Sequence, residues 1–133
     1  MSRVFVDTSA LFALLVSSDG SHRAAAASFE RLRARRAPLV TSSYVLVETY
    51  ALLGRRVGLS AVRAFRTSFA PLLSVRWVDA ELHEQGLELL SNRDRATLSL
   101  VDAVSFVVIR QERIADVFAF DRHFTEEGLT LTG

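Results

Sequence analysis

The fold class of this chain is indicated by the segment Arg3-Val4-Phe5-Val6-Asp7-Thr8-Ser9 and the apolar run 10–16 that follows it. Its β-branched and aromatic start predicts a short buried strand, and the acid followed by two hydroxyl residues predicts the beginning of a helix. Because the strand is apolar on both sides, it is expected inside a parallel sheet with helices on both faces. The amino-terminal segment is therefore interpreted as one strand-then-helix unit of an α/β fold.

The same order continues to the end of the chain. Further strands are expected at 38–41, 74–78, 116–120 and, as a fifth, 129–131. Helices are expected at 10–16, 21–36, from Ser42 or Ser43 to Gly54, at 60–69 until Pro71 ends it, at 80–90 after the cap Asp79, and from Ser99 to Gln111. Alternating strands and helices predict parallel pairing through right-handed crossovers. The predicted fold is a three-layer α/β/α sandwich around a central, mainly parallel sheet of four to five strands, in one domain over 1–133.

Composition excludes several classes of enzyme. The chain has 133 residues, no cysteine, and 16 basic residues that are all arginine. Without cysteine there is no thiol nucleophile or thiolate metal site. Without lysine there is no P-loop nucleotidase, Schiff-base enzyme or pyridoxal enzyme. A net charge of +1 gives no global attraction to nucleic acid, so any basic contact surface must be local.

Hydropathy gives no sign of a membrane protein. The longest strongly apolar stretch, Ala103 to Ile109, is far shorter than the roughly 20 residues that cross a bilayer. Asp7 lies where a signal peptide would keep its apolar region. The expectations are therefore no membrane segment and a cytoplasmic location.

Three acids are expected near the carboxyl ends of the strands, where α/β sheets place their chemistry. Asp7 ends the first strand and Asp121 follows the fourth, so a parallel sheet brings both to one edge. Each also has a purely structural explanation, as a helix cap and a turn residue respectively. Asp102 has the strongest such explanation, because Ser99-Leu100-Val101-Asp102 matches a capping box.

Glu48 is not explained by capping, since it lies well inside its predicted helix. Its neighbours one turn away are Tyr44, Val45, Ala51 and Leu52, so the carboxylate is expected on an apolar helix face. An unpaired charge there costs several kcal/mol, on the order of the effective penalty for burying one ion. Such a group is either paired with a buried arginine or bound to a metal ion.

Together the four carboxylates make an oxygen-only site for a hard divalent cation. Mg²⁺ fits best, and Mn²⁺ should substitute for it. The empty cluster would repel itself and would need the cation to stay ionised at neutral pH. A cation held in this way supports hydrolysis of a phosphodiester bond.

The motifs around these acids carry a family resemblance. They are Val6-Asp7-Thr8-Ser9-Ala10-Leu11, Val47-Glu48 in a mid-chain helix, Leu98-Ser99-Leu100-Val101-Asp102-Ala103 and Phe120-Asp121-Arg122-His123-Phe124. In this order and spacing the chain resembles the PIN-domain ribonucleases, and among them the VapC toxins of bacterial toxin–antitoxin pairs.

The resemblance implies a Mg²⁺-dependent endoribonuclease. It implies that Asp7, Glu48, Asp102 and Asp121 form the metal site, with Asp7 and Asp102 as the surest ligands and Thr8 and Ser9 as supporting residues. A fifth acid that some members carry near the fourth has no clear match here. The expected partners are an RNA substrate, a cognate VapB-like antitoxin laid over the active-site groove and a second copy of the chain in a homodimer.

Arginines at two helix ends are candidate phosphate contacts. They are Arg31, Arg33, Arg35 and Arg36 in one group and Arg55 and Arg56 in the other. Each also suits a solvated carboxyl-terminal helix end. The histidines, His22, His83 and His123, lack a nucleophile–base pattern and are assigned surface or supporting roles, with only His123 near the acids.

Other functions remain open at this point. One is a housekeeping PIN-domain nuclease for RNA processing, and another is a catalytically silent RNA-binding or scaffold module whose acids cap helices and pair with arginine. A receiver domain is disfavoured because its usual lysine is absent. The sequence does not identify the RNA, because recognition of folded RNA depends on surface shape.

Overall fold

A computed structural model of the chain describes residues 2–94 and 97–132. Its five strands are β1 (Val4–Val6), β2 (Leu39–Ser42), β3 (Leu73–Arg76), β4 (Asp116–Phe118) and β5 (Thr130–Leu131). They form one parallel sheet in the order β3-β2-β1-β4-β5. In the central register Phe5 lies opposite Val40 on one side and Val117 on the other. The predicted parallel sheet, including its fifth strand, is confirmed.

Seven α-helices connect or follow these strands within the described residues. They are α1 (Thr8–Leu15), α2 (His22–Ala34), α3 (Ser43–Arg56), α4 (Leu59–Ala64), α5 (Ala80–Ser91), α6 (Leu100–Gln111) and α7 (His123–Glu126). The strands β1, β2 and β3 follow one another outwards from the centre of the sheet, and the connection through α5 and α6 returns past them to β4. Right-handed crossovers in opposite directions place helices on both faces of the sheet.

The core lies where the central strands meet the last long helix. All three residues of β1 are fully buried, and so are Val117 and Phe118 of β4. Helix α6 is buried along 102–109, which explains its nearly continuous apolar sequence. It packs against α5 at Gly86, where an added Cβ would lie 2.5 Å from Val104 Cγ2. Only glycine allows these two helices to approach so closely.

Helix caps bring three chain segments to the carboxyl edge of the sheet. Asp7 follows β1 and caps α1, while Ser42 ends β2 and caps α3 by accepting from the Val45 amide. The loop after β4 leaves the same edge. Ser99 and Asp102 form the predicted capping box at the start of α6. The chain segments that carry the four acids therefore begin or end close to one another, at the carboxyl edge of the sheet.

Several element boundaries differ from the sequence prediction. Helix α3 does not end at Gly54 but continues to Arg56, because the left-handed turn lies at Gly58, with φ of 129°. Helix α2 ends at Ala34 instead of Arg36, and Arg36 itself has a positive φ of 52°. Strand β4 ends at Phe118, two residues before the predicted end.

The helix predicted at 60–69 is divided in two. Helix α4 begins at Leu59 and ends at Ala64, and a π-helical turn (Phe65–Phe69) and a 3-10 turn (Ala70–Leu72) follow. The wider turn buries both Phe65 and Phe69. A further difference is α7, a short helix where only a turn was predicted.

No helix in the described part of the chain has both the length and the apolar character that crossing a membrane requires.

Candidate active site

Asp7 lies at the centre of the acidic edge and is 3% exposed. Its backbone amide donates to the Phe118 carbonyl oxygen at 3.0 Å, which fixes the residue between β1 and β4. One carboxylate oxygen, Oδ2, accepts hydrogen bonds from the Ser9 amide at 3.1 Å and the Ser9 hydroxyl at 2.6 Å. The other, Oδ1, is buried and has no hydrogen-bond partner. The cap interaction thus accounts for only one of the two carboxylate oxygens.

The hydroxyl residues after Asp7 connect it to neighbouring elements. Ser9 Oγ accepts from the Phe120 amide at 2.9 Å, so it links the start of α1 to the chain leaving β4. Thr8 Oγ1 lies 3.1 Å from Thr49 Oγ1 and 3.3 Å from the Val45 carbonyl oxygen, both in α3. Thr8 and Ser9 therefore fix the positions of three elements around the acids.

Asp102 satisfies the capping box and also faces the other acids. Its amide donates to Ser99 Oγ at 3.1 Å, and its Oδ2 accepts from the Ser99 amide at 3.4 Å. The residue is 8% exposed, and burial raises the pKa of its carboxyl, with the charge of Asp121 as the next cause. The predicted capping box is confirmed, and Asp102 can belong to it and to the acidic cluster at the same time.

Glu48 is half-buried on α3. Among residues 2–94 and 97–132, no salt bridge involves its carboxylate, so the buried ion pair with an arginine that the sequence left open is not formed within these residues. Burial raises the pKa of Glu48, a side-chain hydrogen bond from Thr8 opposes the rise, and the charges of Asp102 and Asp121 add to it.

Asp121 completes the cluster from the loop after β4. Its Oδ1 accepts from the His123 amide at 2.9 Å, and the same oxygen lies 3.0 Å from His123 Nδ1. His123 Nδ1 is also 3.6 Å from Asp102 Oδ2. One ligand atom from each of Asp102, Asp121 and His123 fits within a span of 4.8 Å. The sequence placed His123 near the acids but gave no reason for its ring to face them.

The four acids act on one another electrostatically. Burial raises the pKa of Asp7 to about 7, the two Ser9 hydrogen bonds oppose this, and the charges of Asp102 and Glu48 add to it. Since Glu48 and Asp102 both interact with Asp121, the structure brings all four predicted acids together.

This donor set fits a divalent cation. Buried carboxylates without a basic partner are costly, and a buried oxygen without a hydrogen bond is rare in folded proteins. Asp7 Oδ1 is such an oxygen, and it belongs to a cluster of like charges. A hard cation would supply both the missing positive charge and the missing partner. The chemistry available is therefore that of a metal-assisted hydrolase.

The arginines in the last turn of α2 and directly after it lie away from this cluster. Arg35 pairs with Asp116, the first residue of β4, at 3.9 Å. Arg36 borders a cavity with Leu39, the first residue of β2. Both positions are at the amino edge of the sheet, as is the last turn of α2 with Arg31 and Arg33. The structure does not bring this group to the acids.

The arginines at the end of α3 are placed differently. Helix α3 packs against α1, and Arg56 borders a cavity of about 350 Å³ with Ser9 and Phe120. Arg55 precedes it on the exposed end of the same helix. Arg56 thus shares a cavity with Ser9, which is hydrogen-bonded to Asp7.

One supporting residue was not predicted. The Thr49 hydroxyl is fully buried, donates to the Val45 carbonyl oxygen at 2.7 Å and contacts the Thr8 hydroxyl. A signal existed in the sequence, since a threonine directly after Glu48 on an apolar helix requires a polar partner.

Replacing Glu48 by Gln should raise the thermal midpoint of the protein in EDTA by a few degrees. The change removes one of the converging charges and, among the residues that the structure describes, leaves no arginine without its partner. Saturating Mg²⁺ should narrow the difference, because metal binding stabilises the wild type more than the variant. Thermal melts of both proteins with and without Mg²⁺ measure this.

Glu84→Gln is the matched control, since Glu84 is exposed on α5 and lies outside the cluster. It should leave the midpoint nearly unchanged in both conditions. A clear loss of stability of Glu48→Gln in EDTA would show that the fold needs the charge of Glu48. That result would contradict the convergence of Glu48 with the other three acids.

The chain is similar in sequence to known proteins. The sequence model of a family described as "PIN domain" matches residues 4–127. The 23S rRNA-specific endonuclease VapC20 of Mycobacterium tuberculosis, from two strains, is 41% identical over 127 residues, which is 94% of each chain.

Solved structures show the same fold. The crystal structure of Mycobacterium tuberculosis VapC20, described as a sarcin-ricin loop cleaving toxin, superposes with a TM-score of 0.80 and 40% identity over 96% of each chain. The structure of FitAcB from Neisseria gonorrhoeae matches with a TM-score of 0.69 and 14% identity, covering 96% of this chain and 95% of that one. At that identity the second match is evidence for the fold alone.

Proposed function

Because this chain belongs to the PIN-domain family, we propose that it is a divalent-cation-dependent endoribonuclease that acts as the toxin of a toxin–antitoxin pair, with residues 1–133 as one nuclease domain. The observation that carries the proposal is the convergence of four carboxylates that have no arginine partner in the described chain, with one buried oxygen of Asp7 unsatisfied.

Each residue of the site has a role in this proposal. Asp7, Asp102, Asp121 and Glu48 would hold the cation, Mg²⁺ with Mn²⁺ as a substitute. The cation, when bound, supplies charge stabilisation for phosphodiester hydrolysis and lowers the pKa of a water molecule.

The Ser9 amide and hydroxyl both donate hydrogen bonds to Asp7 Oδ2, so that Oδ1 is the oxygen available to the cation. Thr8 and Thr49 hold α3 against α1 and thereby fix Glu48.

The proposed substrate is the sarcin-ricin loop of 23S rRNA. This rests on the described activity of the relative, its 41% identity and the coverage of nearly the whole of both chains. Incubation of the protein with purified ribosomes and Mg²⁺, followed by primer extension across the loop, should reveal one dominant new end. EDTA should prevent it, and added Mg²⁺ or Mn²⁺ should restore it.

The outcomes separate the substrate from the activity. Cleavage of ribosomal RNA at another position would retain the nuclease and reject the sarcin-ricin loop. Absence of metal-dependent cleavage of any RNA from intact ribosomes or total cellular RNA would reject the proposed function and favour the silent binding module.

Neutralising Arg55 and Arg56 together should weaken RNA binding more than neutralising Arg33, Arg35 and Arg36. Arg56 shares a cavity with Ser9, whereas the other group lies at the amino edge of the sheet. For every arginine–phosphate interaction that is removed, the slope of log affinity against log salt should become shallower by about 0.7 to 0.9. Binding of a sarcin-ricin oligonucleotide across a salt series, in EDTA to prevent cleavage, measures both variants. A larger effect of the α2 group would assign the RNA path to the opposite edge.

The proposed partners follow from the same assignment. A VapB-like antitoxin would cover the acidic edge, the toxin would form a homodimer, and both would act in the cytoplasm, where ribosomes are. Co-expression with a VapB-like antitoxin should suppress toxicity and yield a complex whose two chains elute together. Failure of both would favour a housekeeping nuclease.

A further inference from the structure

His123 presents one ring nitrogen, Nδ1, to the acidic cluster. Its side chain is 12% exposed, and Nδ1 is buried. That nitrogen lies 3.0 Å from Asp121 Oδ1 and 3.6 Å from Asp102 Oδ2. The ring is therefore part of the inner surface of the site and not of the protein's exterior.

The other ring nitrogen has a partner that fixes the ring. Nε2 lies 2.9 Å from the hydroxyl oxygen of Thr97. If Nε2 carries the proton and donates it to Thr97, Nδ1 keeps a free lone pair directed towards the carboxylates. Metal-binding histidines commonly use one nitrogen as the ligand while the other donates a hydrogen bond that sets the tautomer.

A simple ion pair does not account for this arrangement. In spite of the 3.0 Å separation from Asp121 Oδ1, Nδ1 makes no hydrogen bond. Asp121 Oδ1 already accepts from the His123 amide. Asp7 Oδ1 is a second buried atom of the site without a partner. Asp7 Oδ1 and His123 Nδ1 therefore both lack a hydrogen-bond partner, and both can donate a lone pair to a metal ion. A cation bound in this cluster would satisfy both atoms.

We propose that His123 Nδ1 is a direct ligand of the divalent cation, beside Asp102 and Asp121, so that the site holds one nitrogen donor among its oxygens. The proposal rests on the proposed function, since it concerns the cation of that same site. Imidazole favours first-row transition ions, whereas Mg²⁺ is bound almost entirely by oxygen. The nitrogen donor should therefore raise the affinity for Mn²⁺ relative to Mg²⁺.

Spectroscopy of the Mn²⁺-loaded protein tests this without measuring activity. Mn²⁺ is paramagnetic, so electron spin echo envelope modulation detects a nitrogen nucleus bonded to it. The wild type should show ¹⁴N modulation, and His123→Asn and His123→Asp should lose it. His123→Asn should also raise the Mn²⁺ dissociation constant at least about tenfold, the lower range for loss of a group that supports a metal ligand.

The variants are chosen to separate ligation from folding. His123→Asp keeps a donor at this position and should retain cation binding with a lower ratio of Mn²⁺ to Mg²⁺ affinity. His83→Asn is the matched control, because His83 Nδ1 lies 2.5 Å from the Tyr44 hydroxyl and outside the cluster. It should keep the ¹⁴N signal.

Each result has a distinct meaning. Saturable Mn²⁺ binding by the wild type without ¹⁴N modulation overturns the ligand role of His123 and leaves the carboxylate site and the proposed nuclease intact. Modulation that persists in both His123 variants also overturns it. No saturable Mn²⁺ binding at all overturns this proposal and the proposed metal site together.

Discussion

Replacing Asp7 by Asn should reduce RNA cleavage by about a thousandfold or more, which corresponds to removing about 4 kcal/mol of transition-state stabilisation. The amide has nearly the size of the carboxylate but no charge for the cation. The residue should still cap α1, because asparagine is as good a cap as aspartate. Cleavage of ribosomal RNA under single-turnover conditions measures the loss.

The same substitution should make the metal-free protein more stable. In the wild type the carboxyl is 3% exposed and has one oxygen without a partner, so its ionisation is unfavourable. A neutral amide removes that cost. Opposite effects on activity and stability are expected of a residue selected for chemistry and not for the fold.

Asp79→Asn provides the matched control for Asp7→Asn. Asp79 is also an aspartate cap, accepting from the Leu82 amide at the start of α5, but it does not belong to the cluster. It should change neither cleavage nor stability appreciably. Activity of Asp7→Asn within a few fold of the wild type would reject the metal-site assignment.

The metal-free protein should lose stability as the pH rises from about 5 to about 8, by on the order of 2 to 3 kcal/mol from Asp7 alone. Burial raises the pKa of Asp7 from 3.8 to about 7, so between these values the folded state binds a proton that the unfolded state has released. The stability associated with that proton is fully present below pH 3.8 and is lost as the pH passes about 7. The raised pKa values of Glu48 and Asp102 act in the same direction.

Denaturant unfolding in EDTA at several pH values measures this dependence. Saturating Mg²⁺ should reverse it, because the cation binds the ionised carboxylates and competes with protons. Asp7→Asn should flatten the curve in EDTA. Stability that stays level or increases over this pH range in EDTA would show that Asp7 is not held as a buried protonated acid.

Local patterns were sufficient for much of the fold. Val4, Phe5 and Val6 are apolar in succession, which is typical of a strand covered on both faces in a parallel sheet, and the structure has such a strand there. The capping box at Ser99 and Asp102 was visible because its hydrogen bonds join residues three apart. Helix ends were less predictable. Gly54 resembles a helix end, but the turn is made at Gly58, where a positive φ is required.

The four acids could be predicted as one group because parallel strands share a carboxyl edge, and this needs only the order of elements. The same reasoning, applied to the helices, would have placed the α2 arginines at the other edge, since a helix that precedes a strand ends at the strand's beginning. Arg35 beside Asp116 confirms that placement. Arg56 is an exception, because the packing of α3 on α1 brings it beside Ser9.

The hydrophobic pattern and the chain order were enough to predict the strands, the parallel sheet and the grouping of the four carboxylates. Three features of the site required the three-dimensional structure: Glu48 has no arginine partner in the described chain, one oxygen of Asp7 is unsatisfied, and the ring of His123 faces Asp102. Those features depend on side-chain directions and on contacts between residues far apart in the chain. A one-dimensional pattern does not encode them, because a rotation about χ1 or a small shift of one helix changes them without altering any periodicity.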